Sequence, residues 1–172
     1  MNDPAPPAPD RAREFDRLRA LHETGLLDAP LPPELAPLCE EARRRFYVAA
    51  ALVTLVDRDR LVVLSEGGTL PRGDAFCDWT IRSDGVFVVP DLSLDPRFAD
   101  NPLVAGPPHH RFYAGAPLTY LDGIRLGALC LLDPRPRNFS PGDRAELAAL
   151  AEEVVALIAS REFVPPARLA AR

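Results

Sequence analysis

The sequence predicts an α+β domain, a central antiparallel sheet of about five to six strands with helices on both faces. Three observations predict it. Two amphipathic stretches lead into an almost wholly apolar run, Val48 to Val56, whose branched residues suit a strand buried on both faces. Two extended segments, Arg111 to Tyr120 and Ile124 to Leu132, flank an Asp122-Gly123 pair suited to a tight antiparallel turn. Finally, Ser140-Pro141-Gly142-Asp143 forms a capping-box variant that announces a long helix through about Ser160.

The remaining elements follow in chain order. Four prolines in the first ten residues oppose helix nucleation, so 1–10 reads as a flexible Pro-rich tail. Asp10 is placed to cap a helix carrying Phe15, Leu18 and Leu21, with Gly25 as its stop. A second helix from Pro33 puts Leu35, Leu38, Cys39, Ala42 and Phe46 on one stripe. Asp57-Arg58-Asp59 turns the first strand back into Leu61 to Leu64, and Gly67-Gly68, Pro71 and Gly73 mark a loop. Val86 to Val89 is a short strand ended by Pro90. Asp95-Pro96 has the pattern of a cap and first-turn proline for a small helix, and the prolines and glycines after Asn101 keep the chain irregular. The expected organisation is a tail at 1–10, one domain at 11–163 and a C-terminal tail at 164–172.

Composition narrows the chemistry. All 20 basic residues are arginine, so a lysine Schiff base and a phosphate loop ending in Gly-Lys are excluded. A net charge of -5 offers no broad basic face, and Arg43, Arg44 and Arg45 fan outward from a helix end, so no nucleic-acid partner is expected. No apolar run nears the roughly 20 residues of a membrane span, and the N-terminus lacks the basic start and apolar stretch of a signal peptide. A soluble cytoplasmic location without membrane contact is therefore expected. Cys39, Cys77 and Cys130 form no Cys-x-x-Cys pair, and their odd number suits a reducing compartment. No metal-ligand spacing occurs, and His109-His110 on an extended chain would point to opposite sides, as solvated loop residues.

Specific residues then carry a family resemblance. Asp95-Pro-Arg-Phe-Ala-Asp-Asn-Pro-Leu-Val-Ala-Gly, Arg111-Phe-Tyr-Ala-Gly-Ala-Pro-Leu and Asp122-Gly-Ile-Arg-Leu-Gly-Ala-Leu-Cys-Leu-Leu-Asp133 resemble the bacterial GAF domains found beside histidine kinase and diguanylate cyclase modules. Phe139-Ser140 matches too, as does Phe76-Cys77, although the family often continues Ala-His-Ala-Ile where this chain has Asp78-Trp79-Thr80-Ile81. The resemblance runs from about Phe15 to Phe163. It implies a GAF fold and a sensor or regulatory role in signal transduction, with a small molecule or a signalling protein on a separate chain as partner. The ligand and any cofactor stay unknown, and no enzymatic activity is expected.

In GAF domains the irregular segment between the hairpins covers a sheet face, and the resemblance implies a ligand beneath it. Trp79, Phe98, Phe112 and Tyr113 offer rigid walls with polar tips, and Asp78 and Asp91 offer polar anchors. Core packing explains Phe98, Phe112 and Tyr113 equally well, whereas Trp79 stands where the chain leaves the family pattern. Two alternatives remain. The free methionine-R-sulfoxide reductases, which share the fold, work through cysteines, but only Cys77 here lies near the right place and no resolving partner is evident. A structural dimerisation domain without a ligand is the other. The long helix carries Leu147, Leu150, Ala151, Val154, Leu157 and Ile158, a wider stripe than one sheet face requires. A homodimer through the terminal helices, Asp10 to Gly25 and Ser140 to Ser160, is therefore expected.

Overall fold

The computed structural model describes residues 2–30 and 32–161. Six strands form one sheet in the order β3-β2-β1-β6-β5-β4, every neighbouring pair antiparallel. Their ranges are β1 Ala50–Val56, β2 Arg60–Val63, β3 Thr69–Pro71, β4 Phe87–Val89, β5 Phe112–Thr119 and β6 Arg125–Asp133. The helices are α1 Arg11–Glu23, α2 Leu35–Arg45, α3 Cys77–Thr80, α4 Pro102–Ala105 and α5 Pro141–Ser160. The predicted α+β class stands. The expected C-terminal tail lies outside the described residues.

The central strands alternate between two cores because successive side chains leave a strand on opposite sides. From β1, Ala51, Val53 and Leu55 join Leu129 and Leu131 of β6 under α2 and α5, with Ala42, Leu147, Val154 and Ile158 above them. From the other side, Val56 joins Ala128, Cys130 and Leu132 beneath the irregular segment that carries α3 and α4. This double burial explains why β1 and β6 read as almost wholly apolar runs.

Local signals fix the ends. Asp10 accepts from the Ala12 amide at 3.1 Å and starts α1. Ser140 and Asp143 exchange both bonds of a capping box at 3.0 and 2.7 Å, which satisfies two free donors at the start of α5. Asp122 and Gly123 both take positive φ, 59° and 74°, inside a short 3-10 turn at Leu121–Gly123.

Three expectations change. The glycine-rich loop contains a sixth strand, β3, which pairs with β2 over three residues and has little pattern of its own. The small helix begins at Pro102 rather than Pro96, capped by Asn101, whose side chain accepts from the Leu103 amide at 2.9 Å. Asp95 does cap a turn at Pro96, its carboxylate accepting from the Arg97 amide at 2.9 Å and its carbonyl from the Phe98 and Ala99 amides at 2.9 Å, but the turn does not extend into a helix. The residues expected as a loose tail are tied down at their start: Asp3 donates its amide to the Val88 carbonyl, accepts from the Val88 amide at 2.8 Å, and holds both Arg144 guanidinium nitrogens.

The terminal helices also pack differently from the reading that implied spare apolar surface. Leu150 is buried in the chain's own core, while Leu157 is half-buried and packs against it. On α1, Leu21 is buried while Phe15 is 64% exposed.

Gly127 sets the spacing of the two central strands. A β-carbon there would lie 1.8 Å from the Thr54 carbonyl oxygen, a backbone atom that cannot swing aside. Gly127→Ala should therefore destabilise the fold by about 3 kcal/mol through forced separation of β1 and β6, read as a lower midpoint in urea. An unchanged midpoint would show that the pair tolerates spreading.

Candidate functional site

The segment over the second core holds most of the side chains expected at a site. Trp79, on α3, lies with its ring centroid 5.1 Å from Phe98 and 6.3 Å from Phe87, while Phe76 stands 5.6 Å from Phe98 and 5.4 Å from Tyr113. Two guanidiniums face the half-buried indole, Arg82 at 4.6 Å and Arg97 at 5.4 Å. Each such contact contributes about 0.5–1 kcal/mol, so the indole is held from several directions.

Phe112 is corrected. Adjacent residues of a strand point to opposite faces, so Tyr113 enters the aromatic cluster and Phe112 enters the core under α5, 5.6 Å from Phe139. The sheet separates it from the others. Asp91 serves its own turn, accepting from the Ser93 amide and hydroxyl at 3.0 and 2.6 Å.

Beneath the rings is a small buried polar group. The Tyr113 hydroxyl pairs with Thr80 Oγ1 at 2.6 Å and donates to the Cys77 sulfur at 3.4 Å, and Thr54 Oγ1 donates to the same sulfur at 3.2 Å. Gly115 makes room, since a β-carbon there would come within 2.3 Å of the Tyr113 hydroxyl. Cys130, from β6, lies in the same buried core as Cys77 and so supplies the neighbouring thiol that was not evident in the sequence. Interaction with Cys130 holds Cys77 below the usual thiol range against the opposing effect of burial, and Cys77 pushes Cys130 up together with burial. Both thiols are buried.

His110 departs from the solvated reading. It is half-buried, its ring stands 6.4 Å from Phe76, and its Nδ1 is buried with no hydrogen-bond partner. Burial pushes its pKa down, opposed by the charge of Asp133, so the imidazole is neutral near pH 7. A buried polar atom left unpaired costs about 1–3 kcal/mol.

Asp78 faces charges. It binds Arg72 Nε at 2.7 Å and Arg82 at 3.3 Å, and Arg72 in turn reaches Glu14 of α1 at 2.6 Å. Glu14 also receives both Nε and Nη2 of Arg17, whose Nη1 donates to the Val56 carbonyl at 2.8 Å in the interior. An unbroken ion chain thus runs from α1, through Arg72, to the helix bearing Trp79.

A two-sided antiparallel sheet with a long C-terminal helix on one face and an irregular, aromatic-lined cover on the other is an α+β architecture of the GAF type. The chain belongs to the GAF domain family, whose pattern it matches over residues 30–161. It is 38% identical over 158 residues to a cyclic di-GMP phosphodiesterase of Pseudomonas aeruginosa, a match spanning 89% of this chain and 27% of that protein. Among solved structures, the GAF domain of an Acinetobacter phosphoenolpyruvate-protein phosphotransferase superposes with a TM-score of 0.65 at 18% identity, over 92% of this chain and 99% of the other. The free methionine-R-sulfoxide reductase of Neisseria meningitidis does so with a TM-score of 0.59 at 21% identity, over 92% and 96%. At those identities the structures show the fold alone.

The Pseudomonas relative corrects the expectation that the chain is not an enzyme. It is itself named for an enzymatic activity, and the resemblance that suggested a binding role reaches an enzyme as well. Among the described residues no helix is long and apolar enough to cross a membrane.

The ion chain has a measurable pH signature. Burial raises the Glu14 carboxyl, but hydrogen bonds and charge from Arg17 and Arg72 outweigh it and bring the pKa from 4.5 to about 2. The folded state therefore favours the carboxylate, and its contribution is complete above about 4.5 and lost as pH falls through about 2. Urea unfolding across that range should show wild type losing stability more steeply than Glu14→Gln. Parallel curves would remove Glu14 from the acid response.

Proposed function

We infer that this GAF domain is a sensor module in cyclic di-GMP signalling, which takes a small molecule with an apolar or aromatic body beneath the α3–α4 cover. The observation that carries the reading is His110 Nδ1, a buried acceptor or donor without a partner at the edge of an aromatic cluster. A ligand group satisfying it would recover a hydrogen bond, and Trp79 with Phe98 would enclose the rest. Occupancy would shift α3, and the Asp78–Arg72–Glu14 chain would carry that shift to α1. The signalling context rests on the Pseudomonas relative, of whose length the matched part is 27%; hydrolysis of cyclic di-GMP belongs to that whole protein.

A homodimer that couples two such domains is part of the same proposal. With Leu150 buried inside the chain, its contact would centre on exposed Phe15 and on half-buried Val155 and Leu157 of α5. Phe15→Glu should then convert a dimer to a monomer in light scattering.

A thermal-shift screen of nucleotides, amino acids and their sulfoxides tests the ligand reading. A compound at 100 times its dissociation constant should stabilise the protein by about 2.7 kcal/mol. Trp79→Ala should abolish that shift while the protein stays folded, and His110→Ala should weaken it by about tenfold in affinity. A hit whose shift survives both substitutions sits elsewhere. Turnover of cyclic di-GMP by the purified chain, measured in parallel, would replace the sensor reading with a catalytic one.

A further inference from the structure

At the far end of α2 the backbone does something costly. Tyr47 takes φ 53° immediately after the helix, the left-handed position where glycine is the usual residue because a β-carbon is strained there. The turn is well made around it: the Tyr47 amide donates to the Arg44 carbonyl at 3.3 Å, the Val48 amide to the Arg43 carbonyl at 3.1 Å, and Arg137 Nη1 donates to the Tyr47 carbonyl. Yet the residue is 81% exposed, so its ring gains almost no burial in return. Strain kept without packing points to work at the surface.

Tyr47 shares a groove of about 630 Å³ with Arg43, Arg44, Arg135, Val48 and Ala49. Three guanidiniums line it and no carboxylate does. Arg43 is engaged by Glu40 at 2.7 Å, but Arg44 reaches that carboxylate only at 3.8 Å and is 71% exposed. Arg135 comes from the loop after β6 and is 78% exposed. Its stem is set by Asp133, a wholly buried carboxylate that accepts from the Arg135 amide at 2.9 Å and Nε at 3.3 Å, and from the Ala49 amide at 3.0 Å. One interior aspartate therefore fixes both walls of the groove. The C-terminal dipole of α2 alone would repel an anion, and the arginines of its last turn reverse that sign.

We propose that this groove binds a nucleoside phosphate, the base stacked on Tyr47 and the phosphate held by Arg44 and Arg135. A flat, exposed ring suits a nucleobase face, and guanidinium forks match phosphate oxygens. A chain with a net charge of -5 around this cationic groove disfavours a long polyanion. None of the lining residues belongs to the aromatic cluster around Trp79, so the site is separate from the one under the α3–α4 cover.

Calorimetric titration of the whole protein with GMP, guanosine and inorganic phosphate tests the assignment. GMP should bind more tightly than either fragment. Tyr47→Gly relieves the backbone strain, so it should melt at the same temperature as wild type or higher, and still lose affinity for GMP about tenfold or more. Arg135→Gln should weaken GMP similarly and flatten the salt dependence of binding. Trp79→Ala should leave GMP binding unchanged, which separates this site from the sensor pocket. The proposal falls if GMP shows no binding at millimolar concentration, if phosphate binds as well as GMP, if Tyr47→Gly keeps full affinity, or if Trp79→Ala removes it.

Discussion

The fold depends on how closely β1 and β6 approach each other. Both are buried on two faces, so every neighbour, α2 and α5 on one side and the α3–α4 cover on the other, is positioned by their spacing. Gly127 permits that spacing, and the alternation of side chains then distributes the chain into two cores of different character. The helix-covered core is mostly aliphatic, with Phe46 and Phe112 buried in it. The other is built around Phe76, Phe87, Phe98, Tyr113 and Trp79 with two thiols and two threonine hydroxyls, a composition that satisfies polar atoms locally while leaving His110 unsatisfied.

Charge organises what surrounds that second core. In a chain whose every basic residue is arginine, the guanidiniums do several jobs at once: Arg17 is buried by pairing with Glu14 and by reaching a strand carbonyl, Arg72 bridges two carboxylates, and Arg82 and Arg97 lie against Trp79. A planar group with five donors allows such shared contacts where an ammonium would not. The cover is thus fastened to α1 by ion pairs rather than by apolar packing. Electrostatic fastening of this kind responds to a ligand or to a change in charge more readily than an aliphatic seam does.

Much of this was legible from local patterns. The almost wholly apolar run of β1, the Asp122-Gly123 turn and the Ser140 cap each signal their element without help from distant residues, and all three appear as expected. What escaped depends on tertiary neighbours. β3 is a three-residue edge strand that exists because β2 offers it partners. Asp95 caps as its sequence signals, but only a single turn follows it before Asn101 starts the helix at Pro102. Trp79, Phe98 and Tyr113 do gather in one aromatic cluster, whereas strand alternation alone sends Phe112 to the other face. His110 reads from the sequence as a solvated loop residue and Arg135 draws no attention there, since the burial of one and the groove formed by the other arise only when distant segments meet.

The clasp at Asp3 bears on how the molecule behaves in a crowd. β4 is the outer strand of the sheet, and the outward amide of Val88 would otherwise be open to pairing. Asp3 occupies it with a carboxylate, a group that cannot continue a ladder, and Arg144 neutralises the charge from α5. At that edge the paired Val88 leaves less for the strands of other molecules to join, the route by which open edges seed aggregates. A tag or cleavage that displaces Asp3 would reopen it.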